Sequence, residues 1–287
     1  MAGITNSGEV GPSTNAPTRR LSLSDCIKGS DDLPLRVVHY GRAGFGKTSI
    51  AAFSDKPFFL LSPGETGLRT LIRAGLLPND IPNLEVPDWE NWMAIIEDLR
   101  MKPHGAHTLV MDTLNGAEGL ANDYTKRHDY NGPNGDKEFQ AYMAGYRTVA
   151  MSVWKEMLTA LDALRRERKM MILMLAHTGT AKVANPSGGD FTKWAPAFTG
   201  HWAWDLTYGW ADVVLFGEFD MTVTKAKPTD PKGKAVSAGK RIIHTGWSPD
   251  YDAKGGRVGL PIEIECPETA KATWEVIVAG LNHKETT

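Results

Sequence analysis

The sequence has few cysteines, almost no net charge and no long apolar run. Only Cys26 and Cys266 are cysteines among the 287 residues, which excludes a disulfide framework and a cysteine-based metal cluster. The net charge of −2 gives no overall field that would recruit nucleic acid, so any such binding has to be local. No apolar run approaches the length of a membrane span, and residues 1–20 lack the apolar stretch of a signal peptide. We therefore expect a cytoplasmic protein with no membrane partner.

Composition divides the chain into one body and two tails. Residues 1–20 are rich in Gly, Ser, Thr, Asn and Pro, which predicts a disordered N-terminal tail. Residues 21–281 carry the apolar patterns of a single domain, and residues 282–287 are predicted to form a C-terminal tail. The hydrophobic content of 41% is ordinary for a globular protein.

Short apolar segments that are typical of buried strands alternate with helical patterns along the body. Strands are predicted at residues 35–40, 57–62, 108–112, 170–176 and 212–216, and helices at residues 48–53, 66–74, 89–99 and about 138–168. This alternation predicts an α/β fold in which helices cover both faces of a mainly parallel sheet. Residues 221–227 and 240–245 further predict a C-terminal antiparallel hairpin.

Residues 41–48 follow the first predicted strand and match the phosphate-binding loop pattern without a mismatch. The glycines allow the backbone to curl so that successive N–H groups point at a polyphosphate. Lys47 would place its charge at the β- and γ-phosphates, and the Thr48 hydroxyl would bind Mg²⁺. The alternative is an ordinary glycine-rich turn. The predicted nucleotide-binding residues are Gly41, Arg42, Ala43, Gly44, Phe45, Gly46, Lys47, Thr48 and Ser49.

Two acidic residues and a histidine follow or end predicted strands. Asp112 either orders Mg²⁺, as a strand-end acid does in phosphate-loop proteins, or caps the next turn. Glu65 either activates the attacking water or is a helix N-terminal acid that the helix dipole favours. His177 either contacts the γ-phosphate or is a core histidine. The carboxyl ends of parallel strands meet at one edge of a sheet, so all three are expected beside the phosphate loop.

The order of these motifs resembles the ATPase core of RecA-type recombinases, with a long helix between Asp112 and His177. The chain is more closely similar to compact, core-only RecA-like P-loop ATPases encoded by bacteriophages, AAA domain proteins of the single-strand annealing and recombination type. The resemblance runs from about Leu35 to Pro261. Besides the motifs above, it is carried by residues 109–114, 175–178, 185–191 with Trp194, 210–216, 239–241 and 251–261.

The resemblance implies that ATP and Mg²⁺ are the cofactors, that Glu65 is the catalytic base and that His177 senses the γ-phosphate. Lys47 would then act in catalysis on the bound ATP. It also implies a homo-oligomer, a ring or a filament, in the cytoplasm of an infected bacterial host. The sequence departs from the family at two places. RecA has an amide where this chain has His177, and residues 61–64 lack the acidic residue that usually precedes the family's glutamate.

In RecA-type proteins two mobile loops contact DNA, one before the long helix and one after the sensor strand. The resemblance places these loops at about residues 123–137 and 178–209. Aromatic side chains interleaved with cations suit single-stranded DNA, because bases stack on aromatic rings. Alternatively, the tryptophans pack a lid or a subunit interface. The predicted DNA contacts are Lys126, Arg127, Lys182, Lys193, Trp194, Trp202 and Trp204.

Positive charge collects in residues 222–257, where eight lysines and arginines stand against three aspartates. The plain interpretation is a solvated, lysine-rich turn. By the resemblance, Lys254 or Arg257 reaches the γ-phosphate of a neighbouring subunit, and we favour Arg257 as the catalytic residue supplied in trans.

Together these features predict an oligomeric, Mg²⁺-dependent ATPase that DNA stimulates. It would act on single-stranded DNA in phage recombination, annealing or replication, together with phage or host proteins of those processes. A different class is an ATP-switched assembly factor, such as a helicase loader, with no DNA contact of its own. A nucleotide or small-molecule kinase disagrees with the resemblance, and the chain lacks an arginine-rich lid between the sensor and the final strand.

Overall fold

The structure, a computed structural model, describes Ser22, residues 33–224 and residues 234–281. The predicted tails lie outside these residues, as does the tip of the predicted hairpin, so the domain boundaries stay predictions. All the elements that follow lie in the second of two units, residues 33–287. Across the described ranges, none of the helices combines the length and apolarity that a bilayer span requires.

Strands and helices alternate through the second unit. In chain order they are β1 (Arg36–Gly41), α1 (Lys47–Ala51), β2 (Pro57–Leu61), α2 (Gly67–Arg73), β3 (Asn83–Glu85), α3 (Trp89–Met101), β4 (Thr108–Asp112), α4 (Leu114–Asp129), α5 (Gly135–Gln140), α6 (Ala144–Val149), α7 (Lys155–Arg168), β5 (Met171–Val183), β6 (Phe191–Pro196), α8 (His201–Trp210), β7 (Val213–Thr224), β8 (Lys234–His244), β9 (Glu263–Glu265) and α9 (Ala270–Leu281).

The sheet has the strand order β3-β2-β4-β5-β1-β7-β8-β9. Strand β1 is central and pairs in parallel with β5 on one side and with β7 on the other. Strands β8 and β9 extend the sheet in antiparallel pairing, and β7 with β8 forms the predicted C-terminal hairpin. The predicted fold class, a mainly parallel sheet flanked by helices with an antiparallel hairpin near the C-terminus, is confirmed.

Helices cover both faces of the sheet because its central strands are apolar on both sides. In β1, Val38 and Tyr40 belong to a core that also contains residues of α3, α4, α7 and α8. Val37, which precedes Val38, belongs to a second core with residues of α1, α2 and α9. Burial on both faces is typical of parallel strands with continuous apolar runs.

The helix predicted at residues 138–168 is interrupted twice. A 3₁₀ turn, Ala141–Met143, separates α5 from α6, and the backbone of Tyr142 and Met143 is left-handed there. A π-helical segment, Ala150–Trp154, then joins α6 to α7. The three- and four-residue spacing of apolar positions continues across both interruptions, so periodicity alone predicts one helix.

Phe139 explains the first interruption. Its ring is fully buried and meets Tyr130 and Tyr146 edge-on, with ring centroids 5.3 and 4.9 Å apart. It also lies against Gly145, where a Cβ atom would come within 2.2 Å of the ring. The chain therefore turns back after Phe139 to bury the ring, and this tertiary contact overrides helix continuity.

The two segments predicted as mobile loops contain regular structure, which corrects that prediction. Most of residues 123–137 belongs to α4 and α5. Within residues 178–209, the outer part of β5 pairs antiparallel with β6, and α8 begins at His201. The second segment is thus a β-hairpin followed by a helix. Its strands alternate half-buried and exposed residues, a weaker signal than the apolar run before them.

Candidate functional site

The phosphate loop leaves the central strand and enters α1. Gly41 ends β1, and a Cβ atom there would lie 2.4 Å from the carbonyl oxygen of Gly217 on β7, so only glycine fits. Gly44 and Gly46 have φ angles of 79° and 102°, in the left-handed region that favours glycine. Phe45 between them is fully buried and anchors the loop to the core. The backbone is thereby shaped as a phosphate cradle requires.

The ammonium group of Lys47 is buried inside this loop. Its Nζ donates hydrogen bonds to the carbonyl oxygens of Gly41, at 2.8 Å, and Arg42, at 3.2 Å. Burial lowers the pKa of Lys47, while the nearby charges of Asp112 and Glu65 oppose that shift. A buried cation held mainly by carbonyls suits a polyphosphate, because an anion offsets the cost of burying the charge.

Thr48 and Asp112 bring oxygen atoms together beside the loop. Thr48 Oγ1 donates to Asp112 Oδ2 at 2.9 Å. Asp112 is the last residue of β4, and its burial raises the pKa of the carboxyl group to about 6, against the effect of the Thr48 bond. Hydroxyl and carboxylate oxygens are ligands that Mg²⁺ accepts, and a bound cation favours the ionised carboxylate. These residues therefore fit Mg²⁺ carried by a bound polyphosphate.

Glu65 lies in the segment that connects β2 to α2, close enough to Asp112 for its charge to act on that carboxyl group. Its Oε1 accepts a hydrogen bond from Thr113 Oγ1 at 3.3 Å and lies 3.4 Å from His177 Nε2. The hydrogen bond from His177 is the largest influence on Glu65 and lowers the pKa of its carboxyl group, while burial opposes this. Glu65 is therefore ionised at neutral pH, as a general base has to be. The sequence did not single out Thr113, whose signal is its place directly after Asp112.

His177 does not end its strand, which corrects the predicted end at residue 176. The parallel pairing of β5 with β1 stops at His177, opposite Gly41. The same strand continues from Thr178 in antiparallel pairing with β6. His177 thus lies where the strand changes partner, and its side chain is 47% exposed on the side of Glu65.

Asn115 is a second residue that the sequence did not single out. Its Oδ1 accepts from the backbone N–H of His177 at 2.6 Å, and its Nδ2 donates to the carbonyl oxygen of Ala197 at 2.9 Å. Ala197 in turn donates its N–H to the carbonyl oxygen of His177 at 2.8 Å. Asn115 therefore fastens the start of α4 to both arms of the β5–β6 hairpin. An asparagine shortly after Asp112, in the first turn of a helix, is the only local signal.

Arg42 connects the phosphate loop to the same hairpin. Its guanidinium group lies over the ring of Trp194 on β6, 4.8 Å from the ring centroid. Its Nη1 is 3.7 Å from the Met221 sulfur on β7. Of the other predicted loop residues, Ala43 is exposed and Ser49 is half-buried in α1.

The predicted DNA contacts of the first segment lie far along α4. Lys126 and Arg127 are in its last turn. Arg127 Nη2 donates to both carboxylate oxygens of Glu90, at 2.9 and 3.0 Å. Lys126 lies over the Phe139 ring, 5.1 Å from its centroid. Both cations are thus engaged within the chain, away from the phosphate loop.

The predicted contacts of the second segment differ in exposure. Lys182 is exposed on the outer part of β5, and Trp202 is half-buried in α8. Lys193 Nζ lies 2.5 Å from Asp252 Oδ1, and Trp204 Nε1 donates to Asp252 Oδ2 at 2.9 Å. Trp204 is only 6% exposed, so the structure places its ring in the core and not on a surface that a base can reach.

The cations considered for action in trans lie after β8. Lys254 Nζ donates to the carbonyl oxygen of Tyr208 and lies over the Tyr208 ring, 4.9 Å from its centroid. The backbone of Arg257 lies in the 3₁₀ turn Gly256–Val258. The Arg257 side chain lies outside the described residues, so its role stays a prediction.

Comparison with known proteins identifies the family. A protein-family model described as "AAA domain" matches residues 33–256, a span that contains the phosphate loop, Glu65, Asp112 and His177. No curated protein matches the sequence. Among solved structures, a crystal structure of the RadB recombinase is similar at 13% identity and a TM-score of 0.44, covering 84% of this chain and 90% of that chain. These values are too low for that protein's activity to be carried over. The family match, which spans most of the chain, shows that this protein belongs to the AAA domain family of P-loop ATPases, and nucleotide binding follows from that membership.

Proposed function

We propose that this protein is a Mg²⁺-dependent ATPase that acts on single-stranded DNA as an oligomer. The observation that carries the ATPase activity is the meeting of three groups at one edge of the sheet. They are the buried Lys47 ammonium in its loop, the Thr48–Asp112 oxygen pair, and the Glu65 carboxylate. One site thus holds residues that could bind the phosphates, bind the metal and act as the general base.

The chemistry follows from these positions. Lys47 and the loop N–H groups would hold the β- and γ-phosphates of ATP, and Thr48 with Asp112 would hold the metal. Mg²⁺ bound there would neutralise part of the negative charge of the phosphates. Glu65 would accept the proton of the attacking water as the water oxygen bonds to the γ-phosphorus and ADP leaves. His177, bonded to Glu65, would report this change to β5.

The β5–β6 hairpin and α8 support the proposal for single-stranded DNA. Lys182 on β5 is an exposed cation, and the rings of Trp194 on β6 and Trp202 on α8 are each half-buried. Stacking of bases on such rings contributes about 1–3 kcal/mol per base without sequence preference. The setting in phage recombination, annealing or replication, the ring or filament, and the role of Arg257 in trans are proposed from the sequence resemblance.

A second candidate function is an ATP-switched assembly factor, such as a helicase loader. The pairing of Lys193 with Asp252 and the burial of Trp204 favour it, since they engage two of the predicted DNA contacts within the chain. In that case a protein partner takes the place of DNA as the stimulus for hydrolysis.

One titration tests both functions. Phosphate release from ATP is measured with Mg²⁺ against increasing oligo-dT, with Lys47→Ala as the reference variant. DNA-stimulated hydrolysis is expected, and hydrolysis that oligo-dT leaves unchanged would favour the assembly factor.

The reference variant tests the nucleotide site itself. Lys47→Ala removes charged hydrogen bonds of about 1.5–3 kcal/mol to the phosphates, so ATP affinity is expected to fall at least about tenfold. Binding of a fluorescent ATP analogue measures this, and unchanged affinity would contradict the assignment of the loop.

A further inference from the structure

Arg241 on β8 lies against the outer side of the phosphate loop. Its Nη1 donates to the carbonyl oxygen of Phe45 at 3.2 Å. Its Nη2 donates to the carbonyl oxygens of Pro267, at 2.9 Å, and Glu268, at 3.1 Å. These acceptors are all backbone carbonyls, and no carboxylate in the described part of the chain forms an ion pair with this guanidinium. The positive charge of Arg241 therefore lies beside the loop without a carboxylate partner among the described residues.

The bond to Phe45 acts on the peptide that joins Phe45 to Gly46. In a trans peptide the C=O and the N–H point in opposite directions. A donor that holds the Phe45 carbonyl therefore holds the Gly46 N–H on the opposite side of the peptide, away from Arg241. Gly46 has a φ of 102°, and a glycine is free to leave that conformation. Arg241 Nη1 would be only 3.1 Å from a Cβ on Gly46, so the guanidinium also packs against this residue.

We propose that Arg241 is a positioning residue for the nucleotide. It fixes the Phe45–Gly46 peptide with its N–H toward the phosphates, and it adds positive charge beside the cradle. The inference rests on the proposed function, because it takes the loop as the site of a nucleoside triphosphate. Pro267 and Glu268 lie beyond residues 33–256, the span of the family match. Arg241 thus makes a C-terminal segment outside that span part of the support of the loop.

The test compares Arg241→Gln with Lys240→Gln in the full chain. Lys240 is the neighbouring cation on the same strand, and its Nζ pairs with Glu265 at 2.7 Å on the surface. Lys240→Gln therefore removes the same charge without touching the loop. ATP and ADP affinities are measured by titration of a fluorescent analogue, together with melting temperatures and the KM and kcat of ATP hydrolysis.

Arg241→Gln is expected to weaken ATP and ADP binding about tenfold, the value of one charged hydrogen bond. KM should rise while kcat at saturation stays near that of the wild type, and Lys240→Gln should change neither. Arg241→Lys keeps the charge but cannot make all the bonds of the guanidinium fork, so it should recover only part of the affinity. If Arg241→Gln fails to fold, Arg241→Lys decides by the same affinity measurement.

Three results would overturn the inference. They are wild-type affinity in the folded Arg241 variants, equal weakening by Arg241→Gln and Lys240→Gln, and a lower melting temperature without any change in affinity. Failure of the proposed function is distinguishable, because the wild-type protein itself would then bind neither ATP nor ADP.

Discussion

The contact between Glu65 and His177 makes the charge state of one residue depend on the other. His177 donates to the carboxylate from β5, and Thr113 donates to the same oxygen from the start of α4. Because the His177 bond is what chiefly lowers the pKa of Glu65, the position of the strand and the basicity of the carboxylate are linked.

Glu65→Gln separates binding from chemistry. The amide keeps an oxygen acceptor for Thr113 but cannot take a proton from water. We expect ATP to bind with Mg²⁺ as in the wild type and single-turnover hydrolysis to slow by roughly 10²–10⁴-fold, as for loss of a general base. Near-normal turnover would contradict the role of Glu65 as the base and would leave it as an acidic residue at the N-terminus of α2.

His177→Ala is expected to move the acidic limb of the pH–rate profile to higher pH. Removing the hydrogen bond takes away what lowers the pKa of Glu65, and burial then raises it, so the carboxylate is protonated earlier as pH falls. The measurement is kcat/KM for ATP between about pH 4 and 8. His177→Gln keeps a hydrogen-bond donor, so the acidic limb of its pH–rate profile should stay near that of the wild type. Identical profiles in the wild type, His177→Ala and His177→Gln would contradict the link between His177 and the pKa of Glu65.

The sequence predicted that Lys47, Asp112 and His177 would lie together, because strand ends and loop spacing are local signals. They lie near one another because parallel strands end at the same edge. Arg241 and Asn115 could not be found in this way. Arg241 meets Phe45 across 196 positions of sequence, and no periodicity or spacing encodes such a contact.

At the scale of elements, apolar runs were the reliable guide. Strand β4 coincides with the predicted residues 108–112, and α3 begins as predicted at Trp89. The break after α5 and the β5–β6 hairpin depend on side chains that meet from distant positions, such as Phe139 with Gly145 and Arg42 with Trp194. Local propensity carries no information on those contacts, so periodicity predicted a continuous helix, while the mobile loops were expected from the resemblance to RecA-type proteins.

Trp202 and Trp204, two of the three tryptophans of α8, are expected to behave oppositely. Trp204→Ala removes a buried ring and its bond to Asp252, which should cost about 3–5 kcal/mol of unfolding free energy. Trp202→Ala removes a half-buried ring and should instead lower oligo-dT affinity by about 1–3 kcal/mol, with ATP affinity unchanged. Urea unfolding beside a DNA titration measures both. DNA affinity untouched by Trp202→Ala would count against stacking on α8.

At the scale of the whole molecule, one buried histidine sets part of the pH dependence of folding. His39 on β1 is 2% exposed, its Nε2 has no hydrogen-bond partner in the described residues, and its ring meets Phe45 edge-on at 5.6 Å. Burial, with a smaller effect from the charge of Lys47, lowers the pKa of His39 from 6.5 to about 3. The folded protein therefore excludes a proton that the unfolded chain binds.

This contribution to stability is complete above pH 6.5 and is lost as pH falls from there toward 3. The loss approaches about 1.4 kcal/mol per pH unit, or roughly 2 kcal/mol at pH 5. His39→Leu should remove this part of the slope between pH 7.5 and 5, as measured by urea unfolding. As a control, substitution of the exposed His128 by Asn should leave the pH dependence of the unfolding free energy as in the wild type. If His39→Leu also kept the wild-type slope, the slope would have to come from other groups.

Strand β5 runs through 13 residues and passes His177 without a break. Its first half is paired on both sides, with β1 and β4, whereas beyond His177 its only partner among the described strands is β6. In mechanical terms it is a cantilever, fixed in the sheet and projecting from His177 to Val183 for roughly 20 Å at about 3.3 Å per residue. A small rotation of the strand at His177 would therefore become a larger displacement at Val183. A shift of His177 would displace the far end of β5 more than its near end, while the contacts of Trp194 with Arg42 and with the backbone of Asp250 and Asp252 would limit the movement of β6.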